Sequence, residues 1–518
     1  MSGYGQDAAG GDGFERSREM FESLVSVLRD PAATEWTHTD LEDRLAAPGR
    51  ELLRSLTQDH LDLRADREQS RTGVVDAGGV ARTRLECGHE RTLRTVYGPV
   101  QVRRKAYRAT AVENLYPADA VLNLPGGKHS HGLRRLAAVE ATRGSFEQAA
   151  AAIGRATGTT IGKRQVEDLT RAAAVDVEAF YAAHRPAPAA AADILVLSAD
   201  GKGVVMRPDA LRAVTARSAR SRKLSTRLSK GEKRDRKRMA EVAAVYDLAA
   251  HPRSPGDIIT IGVPAEADDS GHSGHRTGRG DGGGEGDQPA PRAAGKWLTA
   301  SLTHSTGQVI AAAFEEAERR DPGHARTWVG LVDGNNHQID RINAEAARRA
   351  VTVHIVVDFI HVLEYLWKAA WCFHPEGDTA AETWVANHAL RILHGDAAVV
   401  AAAIRRKATT RGLTDAARKN ADTAADYLIA KRPYLDYPTA LANGWPIATG
   451  VIEGACRHLV KDRMDITGAR WGLPGGEAVL LLRAVISNGD FDTYWAWHLA
   501  QELQRTHLTR YQDLSLAA

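Results

Sequence analysis

Four apolar stretches of this chain end in an acid. Ile194 to Leu197 leads through Ser198 and Ala199 into Asp200-Gly201-Lys202-Gly203, and Trp328 to Val332 ends at Asp333. The run from Val351 ends at Asp358, with His361 three residues on, and Gly450-Val451-Ile452 leads into Glu453. Carboxylates brought together from separate strands and a helix are what two-metal phosphodiester cleavage needs: they hold two Mg2+ ions about 3.5–4 Å apart, which activate the attacking oxygen and stabilise the leaving one. Oxygen ligands suit Mg2+, which keeps its other positions for water and phosphate. No nucleophilic Ser or Cys motif competes. Each acid also has an ordinary reading. Asp200-Gly201 is a common hairpin turn, Asp358 can cap the helix that follows it or bond to His361 on the same helical face, and Glu453 can be an acid favoured at a helix start.

Basic residues lie beside these acids. Lys202 follows Asp200, and Arg212 to Arg238 holds twelve Lys or Arg residues, Arg222 and Lys223 among them, against Glu232 and Asp235. Arg457, His458, Lys461 and Arg463 follow Glu453. Such groups track a phosphate backbone or form a solvated face. A further candidate begins at Ser145, where two helices flank a short turn at Thr157 to Thr160. Ser145 and Gln148 have capping-box spacing, and Lys163, Arg164 and Gln165 open the second helix, where a recognition helix makes its base contacts. The alternative is a helical hairpin that only packs.

The elements that must position these groups follow from the apolar spacing. Phe14 to Arg67 has helical periodicity, and Thr83 to Thr110 alternates around Tyr97-Gly98-Pro99 as a small antiparallel sheet. Its Arg103, Arg104, Lys105 and Arg108 either touch phosphates or form a solvated face, and Cys87-Gly88-His89 supplies too few ligands for a zinc site on its own. An Ala/Pro-rich linker ends near Pro188. Strands then start near Ile194, Arg238 and Lys296, and a helix runs from Gly307. The Trp328 and Val351 strands are each followed by a helix, and a mainly helical stretch spans Glu364 to Tyr437. Asp268 to Pro291 is Gly-rich and too poor in apolar residues to pack.

The 518 residues are 43% hydrophobic and 26% charged, with a net charge of +3, so any nucleic-acid footprint is local. Three cysteines without CxxC spacing point to a reducing cytoplasm. The polar, Gly-rich start has no signal-peptide core, and no run approaches the ~18 apolar residues of a membrane span.

The order β-β-β-α-β-α-β-α, with acids on the first and fourth strands and in a late helix, resembles the ribonuclease-H-like core of DDE transposases. "LSADGKGVVMR", "VGLVDGNNHQ", "VVDFIHVLEYLWKAAW" and "GVIEGACRHLVKDRMDITGARW" are similar to bacterial insertion-sequence transposases of the ISKra type, relatives of the Mutator superfamily. The likeness covers most of residues 80 to 490. It implies an α/β fold in which a ribonuclease-H-like mixed sheet flanked by helices carries an all-α insertion and an N-terminal helical DNA-binding region containing a small β-sheet. Asp200, Asp333 and Glu453 would be the catalytic acids and the ligands of two Mg2+ ions, with Mn2+ as a substitute. Asp200 is then expected inside a core strand rather than in a hairpin turn. Asp358 and His361 match the D-x-x-H signature, with His361 against DNA or the scissile phosphate and Asp358 supporting it.

The implied division is helices at 1–70, a small sheet at 71–125, a helix-turn-helix-like region at 126–188 and a core at 189–362 interrupted at 268–295. An all-α insertion at 363–445 and the rest of the core with C-terminal helices at 446–518 complete it. The implied partners are double-stranded DNA, both terminal inverted repeats and target, and further copies of the chain on that DNA, with no membrane. The implied location is the nucleoid of the cytoplasm. Two rivals share parts of the pattern: a nuclease that cuts without joining, and a DNA-binding regulator derived from a transposase.

Overall fold

The computed structural model describes residues 12–184, 194–220, 236–259, 291–466 and 468–513. Arg222, Lys223 and most of the Gly-rich tract lie outside the described residues. The chain divides into two compact units, one of residues 1–183 with 474–518 and the other of residues 184–473.

In the first unit the Glu15–Arg29 and His38–Asp66 helices come first. Thr37 and Asp40 form a capping box that satisfies two otherwise unpaired donors at the second helix's start. β1 (Arg84–Thr95) and β2 (Gly98–Arg108) follow as an antiparallel hairpin, and the register shifts between Glu86 and His89. The hairpin's basic residues are largely engaged within the protein. Arg103 reaches Asp62 and Asp66, Arg104 reaches Asp119 at 2.8 Å, Arg108 pairs with Glu86, and Lys105 Nζ donates to the Glu68 carbonyl at 2.6 Å. The helices His131–Arg143, Phe146–Thr157 and Lys163–Ala173 then close on Leu133, Ala137, Ile153 and Val166. Ser145 and Gln148 make the expected capping box.

The C-terminal helices are grouped with this unit, whereas the sequence reading kept 446–518 together. Side-chain bonds account for the grouping. Arg505 spans Asp176 and Glu502, Arg134 bonds Glu502 at 2.6 Å, and His498 Nδ1 lies 2.6 Å from Asp176. Burial raises the Asp176 carboxyl's cost of charge, but bonds from Arg505 and His498 outweigh it and hold its pKa below the usual range.

The second unit is built on a five-stranded mixed sheet in the order β5-β4-β3-β6-β7. The strands are β3 (Ile194–Val205), β4 (Lys237–Leu248), β5 (Ala294–Ser301), β6 (Thr327–Val332) and β7 (Val353–Val357). β3, β6 and β7 are parallel, and β4 is antiparallel to both neighbours. Residues 194–199 of β3 are all buried, as befits a central strand covered on both faces. The Thr306–Arg320 helix packs on β3 to β5 and the Asn336–Arg349 helix on β6 and β7. The elements between 363 and 445 are helical. Among the described residues, no helix is long and apolar enough to cross a membrane.

His131, at the start of its helix, accommodates the neutral ring: Nε2 lies 2.9 Å from the Asn123 carbonyl, and burial, reinforced by Arg134, lowers its pKa to about 4. The unfolded chain takes up this proton near pH 6.5. The His131 share of stability is therefore complete above that pH and is lost as pH falls toward 4. Acidification from pH 7 to 5 is expected to lower the unfolding midpoint of the N-terminal unit, and His131→Gln to reduce the drop, measured by thermal denaturation followed by circular dichroism. His498 and His507, lowered by burial too, retain part of it.

Candidate metal centre

Asp200 lies within a continuous strand. Its neighbours Gly201 to Gly203 remain paired with β4, Gly201 opposite Glu241, so the Asp-Gly turn reading is overturned. On its other side β3 pairs in parallel with β6 only as far as Ser198 opposite Leu331. Two residues further along each chain stand Asp200 and Asp333. The register thus aligns the two acids just beyond the parallel pairing of neighbouring strands, which lie about 4.8 Å apart. The third parallel strand ends at Asp358, whose backbone N–H donates to the Val332 carbonyl at 2.7 Å. Asp333 and Asp358 therefore follow the carboxyl ends of β6 and β7, and Asp200 stands on β3 just past its parallel pairing with β6, on the side of the sheet at which open α/β sheets hold ligands.

Local bonds fix each carboxylate. Asp200 Oδ1 accepts from the Gly201 N–H at 2.6 Å, and Oδ2 from the Cys456 thiol at 3.3 Å. Asp333 Oδ1 accepts from the Asn335 N–H at 2.8 Å, turning the chain into the next helix. The intervening Gly334 has φ +91°, and a Cβ there would meet Tyr427 Oη at 2.5 Å, so only glycine fits. Tyr427 donates to the Asp333 carbonyl at 3.1 Å. Burial, with Tyr365 and Asp333 nearby, pushes its pKa up.

Asp358 is fully buried and caps the Phe359–Ala370 helix through the Ile360 N–H at 2.8 Å. This is the capping alternative, and the other oxygen, Oδ2, accepts from the Thr449 hydroxyl. Thr449 Oγ1 also lies 3.3 Å from Glu453 Oε1. The hydroxyl has a single proton, which the short contact gives to Asp358, so Glu453 stands beside this bond as a second acceptor.

Glu453 is exposed on the short Gly450–Ala455 helix, which packs against β3 and β4. Among the described residues, the three ligand-type side chains whose atoms all lie within 4.8 Å of one another are Asp358, His361 and Glu453. The structure therefore gathers Glu453 with Asp358 and His361, not with Asp200 and Asp333; its link to Asp200 runs through Cys456, three residues along the same helical run. His361 Nδ1 is 3.7 Å from Glu364.

Comparison of the chain with family models and with curated proteins finds no match.

The basic residues after Glu453 separate into two groups. The helix becomes π-helical over Cys456–Lys461, a distortion often found at functional sites. Arg457, His458 and Lys461 are exposed along it. Arg463 is a correction: it is only 2% exposed, with its guanidinium 4.6 Å from the centre of the Trp471 ring, and so is not part of the outward face. Trp471 belongs to the core. Its Nε1 donates to the Met464 carbonyl at 3.0 Å, and its backbone bonds Val205 and Arg207 at the end of β3. Lys202 is exposed two residues beyond Asp200, and Lys163 and Arg164 are exposed at their helix start. Gln165 is committed in part to capping that helix, accepting from the Gly162 N–H at 3.1 Å.

Sequence reasoning missed Thr449, Cys456 and Tyr427. The spacing Thr449–Glu453 and Glu453–Cys456 is a helical i,i+4 and i,i+3 signal, but the partners Asp358 and Asp200 are about a hundred or more positions away in the chain.

Removing the Thr449 hydroxyl leaves buried Asp358 short of a donor. Thr449→Val is expected to destabilise the protein by about 1–3 kcal/mol, and Thr449→Ser to recover most of that, measured by urea denaturation.

Proposed function

We propose that the chain is a DDE-type DNA transposase that binds transposon ends and performs metal-dependent cleavage and strand transfer, on a ribonuclease-H-like core. The observation that carries this reading is the alignment of Asp200 and Asp333 just past the parallel pairing of adjacent strands, with Glu453 on a helix packed against the first of them. The central place of the first strand and the antiparallel direction of the second support the ribonuclease-H-like assignment.

The carboxylate oxygens are of the type a hard divalent cation takes, while Glu453 stands with Asp358 and His361 rather than with Asp200 and Asp333. Among the described residues, no Lys or Arg forms an ion pair with Asp200, Asp333, Asp358 or Glu453. By contrast, Asp247, opposite Leu195 near the other end of β3, is matched by Arg320 at 3.0 Å and Arg326 at 2.7 Å. The sheet therefore pairs Asp247 with arginines and leaves these four acids without a cationic partner among the described residues. Asp200, Asp333 and Glu453 would hold Mg2+, which activates an attacking oxygen and stabilises a leaving one.

The chain's own residues orient the reaction. Cys456 and the Gly201 N–H set the Asp200 carboxylate, while Thr449 sets that of Asp358 beside Glu453. Lys202, Arg457, His458 and Lys461 draw the phosphate backbone toward the acids. In the first step water attacks the phosphorus at the transposon end and the P–O3′ bond breaks, leaving a 3′-OH. In the second that hydroxyl attacks a target phosphodiester in line, and the target's own 3′ oxygen leaves.

Purified protein, labelled end DNA and a supercoiled target, incubated with Mg2+ or EDTA, test the reading. Cleaved and joined products that vanish with EDTA are expected. Asp200→Asn, Asp333→Asn and Glu453→Gln are each expected to abolish cleavage while end binding persists. Cutting without joining identifies a nuclease, and metal-independent binding without either identifies a regulator. His361→Asn, which breaks the Asp358–His361–Glu453 group but spares the three acids, is expected to slow cleavage without abolishing it.

A further inference from the structure

We propose that a cleft beside the helix-turn-helix-like pair, between the His38–Asp66 helix, the β1–β2 turn and the turn at Thr157 to Thr160, binds the sugar–phosphate backbone of duplex DNA through Arg50, Arg94 and Tyr97. The proposal rests on the reading of the chain as DNA-binding and adds a surface that the sequence did not single out.

The cleft has a volume of about 500 Å3, within the range of ligand sites rather than of a single ion. Three arginines line it against one glutamate. Glu51 is already occupied by Arg54, which reaches it at 2.5 Å along the same helix. Arg50 and Arg94 have no carboxylate partner among the described residues. Arg94 Nη1 donates to the Thr160 carbonyl at 3.2 Å, which leaves the rest of its guanidinium available. The Arg50 Nε would lie 3.5 Å from a Cβ on Gly158, so Arg50 stands against the same turn from the opposite wall. Tyr97, 40% exposed at the tip of the hairpin, adds an aromatic face and a hydroxyl.

This separates the cleft from the basic hairpin next to it. Arg103, Arg104 and Arg108 meet carboxylates of the protein itself, so a phosphate would have to displace those partners. Arg50 and Arg94 meet none, and binding a phosphate there breaks no internal ion pair. Three residues beyond Thr160, the helix begins with exposed Lys163 and Arg164. A duplex read by that helix would bring its backbone across the cleft, where Arg and Tyr contacts fix register without reading sequence.

The test is fluorescence anisotropy of the full-length protein with a fluorescein-labelled duplex of mixed sequence, in EDTA, across a salt series. Arg50→Ala is the decisive variant because its side chain makes no hydrogen bond or ion pair among the described residues. It is expected to weaken binding and to lower the slope of log K against log salt by about 0.9, the share of one phosphate contact. Arg94→Ala is expected to do the same, and Arg103→Ala to leave the slope unchanged. An unchanged slope in Arg50→Ala, no binding of duplex by the unaltered protein, or competition by poly-glutamate as effective as by unlabelled duplex would overturn the proposal. Because EDTA removes the metal, the measurement is independent of cleavage: loss of catalysis with the expected slopes leaves this surface standing, and retained catalysis with unchanged slopes refutes it alone.

Discussion

The carboxylates of Asp200, Asp333 and Asp358 stand side by side at three neighbouring parallel strands, Asp358 fully buried and the other two half-buried, with no cation of the protein paired to any of them among the described residues. The nearby Glu241 carboxyl registers this environment: burial pushes its pKa up, and the Asp200 charge adds to the shift. An arginine at this edge would relieve the repulsion, as Arg320 and Arg326 do for Asp247. The fold instead supplies dipolar donors: the Gly201, Asn335 and Ile360 N–H groups, the Thr449 hydroxyl and the Cys456 thiol. Each holds a carboxylate in one orientation, so the edge is ordered in the way the proposed metal site requires.

Much of this edge was legible in the sequence because it is written in local pattern. An apolar run that stops at an acid and is followed by helical spacing describes a strand, its end and the next helix, and the register of β3 with β6 follows once the two runs are paired. The capping boxes at Thr37 and Ser145 are likewise local. What was not legible depends on partners far along the chain. Thr449 gains its role only because Asp358 is brought beneath it, and Cys456 only because the helix after Glu453 packs on β3. The C-terminal helices, which the resemblance places with the second part of the core at 446–518, owe their place to Arg505, His498 and Glu502, which bond Asp176 and Arg134 more than three hundred positions earlier.

Positive charge was the least readable property of all. Arg463 lies in a run of basic residues and has the same composition-level signature as Arg457, yet one is inside and the other outside. The π-helical turn at Cys456–Lys461 accounts for part of the difference, because it breaks the 3.6-residue phase on which a basic face would be projected. Trp471 accounts for the rest: its ring covers the Arg463 guanidinium, and its backbone ties the segment to the end of β3. A buried arginine stacked on a tryptophan there braces the strand that carries Asp200.

The same distinction applies within the N-terminal unit, where counting basic residues would rank the β1–β2 hairpin first. Its Arg103, Arg104 and Arg108 are opposed by Asp62, Asp66, Glu86 and Asp119, so these charges are compensated within the protein. Arg94 belongs to the same hairpin and Arg50 to the His38–Asp66 helix, and the packing of helix, hairpin and turn leaves both facing one cleft. A field that draws in a polyanion depends on charge left uncompensated rather than on charge present. On that criterion both units follow one rule: the acids of the sheet edge and the arginines of the cleft are the groups that the fold orders without an ion-pair partner among the described residues.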